Sequence, residues 1–89
     1  MMSMSYRRSE KSINAVIGEK MKSLREEKQI SMQEVARRLK VSKSAVHYWE
    51  SGKRNITVQN FISYCYALGY EKVRIELREG EHDRELEIL

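Results

Sequence analysis

A chain of 89 residues with no proline, four glycines and 40% hydrophobic residues is one small helix-rich domain, able to bury about 60–65% of its unfolded surface, which excludes a large enzymatic cleft. Cys65 is the single cysteine, so no intrachain disulfide can form, and with two histidines no zinc-ligand cluster is visible. The net charge of +4 hides a split, since residues 1–69 hold 13 Lys+Arg against 6 Asp+Glu and residues 70–89 hold 4 against 7; a basic body suits a polyanionic partner and a mixed acidic tail suits protein contact.

In chain order, residues 1–11 form a basic segment in which Arg7 and Arg8 belong to a flexible tail, with a minor-groove arm as the alternative. In "SINAVIGEKMKSLREEK", Ile13, Val16, Ile17, Met21 and Leu24 recur at helical spacing behind a Ser12 N-cap, which predicts a helix over 13–27. In "SMQEVARRL", Ser31 and Glu34 make an S-x-x-E capping box ahead of an inward stripe of Val35, Ala36 and Leu39. After "KV", Ser42 caps a third helix whose Val46 and Trp49 point inward and which Gly52 stops. Thr57 caps a fourth, "VQNFISYCYAL", with Phe61, Cys65 and Leu68 on one face and Gly69 as its breaker. Tyr64, Tyr66 and Tyr70 lie off that stripe or just past it and are available to a dimer interface.

The period then changes to two. "KVRIEL" and "RELEIL" alternate apolar with charged residues and read as half-buried strands around a "REGEHD" loop. A lone hairpin is marginal, so the tail, 70–89, must pack on the helices or pair between subunits. Pairing between subunits is the favoured reading, with Val73, Ile75, Leu77, Leu86 and Ile88 as the dimerisation residues.

Helices 2 and 3, each too short to be stable alone, bury their inner stripes against helices 1 and 4 and leave the far side of helix 3 uncommitted. Lys43, Ser44, His47 and Tyr48 share that side; all donate hydrogen bonds and none is acidic. Such a face fits the acceptor-rich major groove of B-DNA, although it also fits an ordinary solvated surface. The arrangement is a helix-turn-helix. Cys65 reads as a core side chain rather than a redox sensor, and Trp49 and Phe61 as core aromatics.

The stretch "MKSLREEKQISMQEVARRLKVSKSAVHYWESGKRN" followed by "NFISYCYALG" resembles the Cro and phage-repressor (Xre-like) helix-turn-helix domains over about residues 13–69. The resemblance implies a mainly α, lambda-repressor-like bundle of four to five short helices, here with a β-strand or hairpin tail. It also implies a buried Arg25–Glu50 salt bridge tying helix 1 to the end of helix 3. Base reading falls on Lys43, Ser44 and Tyr48, with His47 beside them and Ala45 placed for a thymine methyl. Phosphate contacts fall on Ser31, Ser42, Ser51, Lys53, Arg54 and Asn55. Two positions depart from the pattern. Met32 stands where Gln is common, so Gln33 takes over its phosphate contact or the contact is lost, and Lys40 stands where Gly is common and is expected in a left-handed conformation.

The expected function is a sequence-specific transcriptional regulator from a bacterium or phage, a dimeric repressor on a pseudo-palindromic operator, with double-stranded DNA and a second copy as partners and neither cofactor nor metal. The chain has no apolar run of about 20 residues and no apolar leader, so a soluble, cytoplasmic protein is expected, nucleoid-associated when bound to DNA. Two other classes fit the residues: an antitoxin that binds DNA and neutralises a toxin, and a protein-interaction module that has lost DNA affinity, either of which would bind a protein partner such as a toxin or antirepressor. No nucleophile and base stand at an enzymatic spacing.

Overall fold

The computed structural model describes residues 12–79 and 82–87, with side chains to residue 77. The basic segment 1–11, with Arg7 and Arg8, and Ile88 fall outside the described residues, as do the side chains of the second strand, Leu86 included. Four helices, α1 (Ile13–Glu27), α2 (Met32–Leu39), α3 (Lys43–Ser51) and α4 (Val58–Ala67), precede β1 (Arg74–Glu79) and β2 (His82–Glu87).

Every helix begins on a hydroxyl. Ser12, Ser31, Ser42 and Thr57 are in extended backbone, and each side-chain oxygen accepts the amide N–H three residues on, at 3.2, 3.1, 3.0 and 3.0 Å. Each cap contributes about 1 kcal/mol. The capping box over Ser31 and Glu34 is only half made. Glu34 carries the Arg37 and Arg38 guanidiniums on its carboxylate, at 2.5–3.2 Å, instead of returning to the helix start. Two arginines one turn on outcompete a single backbone N–H, and the Arg37 hydrogen bond, with help from Arg38, pulls the Glu34 carboxyl down to about 2.

Every helix also ends the same way. The N–H groups of Ile30, Val41, Lys53 and Tyr70 donate back five residues, to the carbonyls of Arg25, Ala36, Tyr48 and Cys65. The residue before each has positive φ: Gln29 at 57°, Lys40 at 58°, Gly52 at 75° and Gly69 at 100°. This is the Schellman closure, and it satisfies carbonyls the helix would otherwise orphan. Two of the four positions are not glycine. Left-handed backbone costs an ordinary residue about 1–2 kcal/mol, so Lys40→Gly should raise the stability by up to about 1 kcal/mol once glycine's own entropy is subtracted; chemical denaturation would read the gain, and an unchanged midpoint would place the strain elsewhere.

Met21, Val35, Val46, Phe61, Tyr64, Cys65, Leu68 and Val73 form the core, and Trp49 packs against it half-buried. Arg38 on α2 donates to the Ala67 carbonyl at the end of α4 at 2.7 Å, which ties those helices at the surface. Tyr64 corrects the reading of the α4 tyrosines. It is fully buried rather than placed for a dimer, because α4 turns a broader face inward than the Phe61, Cys65 and Leu68 stripe alone.

β1 and β2 pair antiparallel within one chain, from Arg74 opposite Glu87 to Glu79 opposite His82. Within the chain the tail thus takes the alternative reading, a hairpin folded back on itself, and pairing between subunits is left to the outer edges of its strands. The short connection makes local closure entropically cheap. The strands also run nearer the turn than the expected 78–83 loop, since ladder hydrogen bonding continues past the last apolar residue. Val73 is 5% exposed, in the core of its own chain, and so anchors the hairpin. No helix among the described residues is long and apolar enough to cross a membrane.

Candidate nucleic-acid interface

The face of α3 is set by two close approaches that the apolar pattern does not announce. A Cβ built on Gly18 would lie 2.5 Å from the carbonyl oxygens of Trp49 and Glu50, so α1 and the end of α3 touch backbone to backbone. Gly52, one residue past α3, sits as tightly on Ala15, whose Cα is 2.7 Å from its built Cβ. A glycine inside a helical pattern is the only sequence signal of such packing.

Next to this contact the charges are locked. Arg25 Nε donates to Glu50 Oε2 at 2.7 Å and Nη2 to Oε1 at 2.9 Å, a two-pronged pair 8% and 7% exposed, while Nη1 donates to the Ile30 carbonyl at 2.8 Å. Tyr64 completes the set: its hydroxyl lies 2.8 Å from Glu50 Oε2 and 2.9 Å from the Met21 carbonyl, two acceptors for one proton. The hydrogen bond to Glu50 raises the Arg25 pKa, and burial, reinforced by Glu50, raises that of Tyr64. No buried side-chain nitrogen or oxygen among the described residues lacks a partner.

With its inner side fixed in this way, α3 turns Lys43, Ser44 and His47 fully outward, with Ala45 and Tyr48 half-buried. Lys43, Ser44, His47 and Tyr48 line a shallow groove together with Met32 at the start of α2. Met32 thus supplies an apolar wall where an amide would have hydrogen-bonded, and Gln33 is exposed beside it. Tyr48 is less free than its neighbours. The Arg54 guanidinium stacks over its ring at 4.4 Å and the His47 ring lies tilted against it at 5.9 Å. Ser51 Oγ donates to the Tyr48 carbonyl at 3.3 Å.

Of the residues expected on phosphate, Ser31 and Ser42 immediately precede the groove's Met32 and Lys43 in the chain, and Ser51, Lys53, Arg54 and Asn55 follow its Tyr48. Ser31 and Ser42 are exposed, but their oxygens already accept helix amides, so their hydroxyl protons and the amides around them are what a phosphate would meet. Beyond α3, Ser51, Lys53, Arg54 and Asn55 are exposed. Asn55 accepts from the Asn14 amide through Oδ1, which fixes the loop to α1 and leaves its own NH2 to donate. Asn14 carries no signal in the sequence, because nothing local shows a contact made 41 residues away.

Electrostatically the surface has one sign. Residues 28–57 contain seven Lys+Arg and two acids, Glu34 and Glu50. Both acids of that span face arginine, one at the surface and one in the core, so neither stands there as an unpaired carboxylate. Cys65 is buried and its thiol is pushed up to about 11 by burial, the environment of an inert core side chain. No group of His, Cys, Asp and Glu able to hold a metal ion occurs among the described residues.

The helix-turn-helix family profile, of the Cro/C1 type, matches residues 21–74, more than half of the chain. The chain belongs to that family. The match starts inside α1 and stops at the first residue of β1, so the hairpin lies almost wholly beyond it. Among solved structures the helix-turn-helix domain is similar to the clp gene regulator ClgR from C. glutamicum, with a TM-score of 0.65 and 25% sequence identity, over 71% of this chain and 81% of that one. No curated protein matches the chain.

Proposed function

We infer that the chain is a sequence-specific repressor that binds a pseudo-palindromic operator as a homodimer, reading bases through α3. The function class, a DNA-binding transcription regulator, comes with the helix-turn-helix family; dimerism, repression and the reading residues are the proposal. The observation that carries it is the acid-free face of α3, held rigidly outward by the buried Arg25–Glu50–Tyr64 set and flanked by exposed Lys53 and Arg54.

The division of labour rests on geometry. Lys43, Ser44 and His47 are exposed at the front of the helix and meet base-edge acceptors, and Ala45 offers a methyl contact. Tyr48 serves mainly as a platform: it holds Arg54 stacked and so orients a guanidinium towards the backbone of the duplex. Ser31, Gln33, Ser42, Ser51, Lys53, Arg54 and Asn55 bind phosphate and set the register without reading sequence. One helix reads too few base pairs to find a genomic site, so two copies on half-sites about 34 Å apart are needed.

Selection from random duplex DNA at near-physiological salt tests this, with an enriched palindrome as the expected product. On that operator Lys43→Ala should weaken binding by about 5- to 150-fold and relax one base position. Arg54→Ala should instead weaken all sequences alike and reduce the salt slope by about one. Equal behaviour of the two variants would refute the separation of base readers from phosphate binders.

A further inference from the structure

A face made of donors reads only part of the major-groove code. Lys43, Ser44, His47 and Tyr48 all bring hydrogen-bond donors, while guanine N7 and O6, adenine N7 and thymine O4 all accept there. Donors therefore recognise an acceptor without naming the base that bears it. The C5 methyl is the feature that sets thymine apart, and reading it takes an apolar surface on the protein side.

That surface comes from α2. Met32, its first residue, lines the groove along α3 together with Lys43, Ser44, His47 and Tyr48. It is half-buried, packed against the core on one side and open to the groove on the other. The Tyr48 ring also borders the groove, but the Arg54 guanidinium already stacks on it at 4.4 Å. Met32 is thus an aliphatic patch set among donors. Its unbranched thioether chain adapts to what it meets, and a methyl laid on it removes apolar area from water on both sides.

The neighbouring donors select which methyl fits. On thymine the methyl stands next to O4, an acceptor that suits Lys43 and Ser44. A cytosine methylated at C5 carries the same methyl beside an amino donor, and the residues lining the groove include no carboxylate to accept it.

We propose that Met32 is a specificity-determining residue, packing on the C5 methyl of one thymine in each half-site while Lys43 or Ser44 donates to O4 of the same base. The proposal rests on the reading of the chain as a regulator that contacts bases through α3, and it adds α2 to the base-reading surface.

Replacing thymine by uracil deletes the methyl and leaves O4 and the base pair unchanged. In the duplex selected from random DNA, each thymine is replaced in turn and binding is measured at one salt concentration. One position per half-site should lose about fourfold in affinity, the effect of leaving a methyl-sized apolar group uncovered. With Met32→Ala and Met32→Gln that position should become indifferent to the methyl, and Met32→Leu, which keeps an aliphatic surface, should retain the discrimination. Thymines read elsewhere, through Ala45 for instance, keep their methyl effect in all three variants. Each variant is compared with itself on two duplexes, so a general loss of stability or of phosphate binding cancels in the ratio. 5-Methylcytosine at the same position should bind at least about fivefold more weakly than thymine. A duplex on which no methyl effect depends on Met32, or on which 5-methylcytosine binds as well as thymine, would overturn the proposal and leave the DNA reading standing. A chain that enriches no sequence at all would overturn both.

Discussion

Replacing Glu50 by alanine is expected to lower the unfolding free energy by about 3–5 kcal/mol, the effect of breaking a buried pair from one side. Arg25, 8% exposed in the parent, would keep its charge but lose its paired carboxylate, with the Ile30 carbonyl as its remaining hydrogen bond. Tyr64 would lose one of its two acceptors as well. The loss comes from desolvation that nothing any longer offsets, more than from the intrinsic strength of the pair. Tyr64→Phe should therefore cost less, about 1–3 kcal/mol, because Glu50 keeps both guanidinium bonds, the Met21 carbonyl keeps its place in the α1 ladder, and only the hydroxyl's contribution disappears. Replacing both ions together, Arg25→Met with Glu50→Leu, should recover much of the single-variant loss. Urea unfolding with an unchanged slope would read all three. A Glu50→Ala cost under about 1 kcal/mol would mean that water reaches the pair and screens it.

Gly18→Ala is expected to destabilise the domain by about 1–3 kcal/mol, against the local preference of the helix it sits in. In the middle of α1, alanine is favoured over glycine by roughly 1 kcal/mol. The added methyl would nevertheless lie 2.5 Å from two backbone carbonyl oxygens, and neither belongs to a side chain able to turn away. α1 and the end of α3 must separate, and overpacking of that kind outweighs the helix gain. In a domain of this size each kcal/mol lowers the thermal midpoint by about 4–8 °C. Because α3 carries the reading face, operator affinity should fall along with stability. Gly69→Ala provides the contrast, since nothing lies within 4 Å of its added carbon and only the backbone at φ +100° is strained. A Gly18→Ala protein as stable as the parent would show that the two helices slide apart without cost.

The helices were legible because their determinants are local. Ser12, Ser31, Ser42 and Thr57 each cap the turn immediately C-terminal to them, and Gly52 and Gly69 close helices by a conformation that other residues resist. Gln29 gave no such signal. It adopts the same left-handed turn without being glycine, where a bond from the Arg25 side chain to the neighbouring Ile30 carbonyl helps to hold the chain. The outward face of α3 was equally visible, since spacing alone places Lys43, Ser44 and His47 together. The state of Tyr48 was not, because its stack with Arg54 depends on how the chain turns at Gly52.

The sequence by itself determined the helix-turn-helix, the basic sign of its surface and the identity of the outward side chains, all of which stem from short-range periodicity, caps and charge. Tertiary structure alone decided that Tyr64 joins Arg25 and Glu50, that Gly18 lets α1 touch α3, and that the two strands meet each other within one chain. Those three depend on which distant residues come within a few ångströms, and helical or strand periodicity fixes the face a residue occupies but not the partner that meets it.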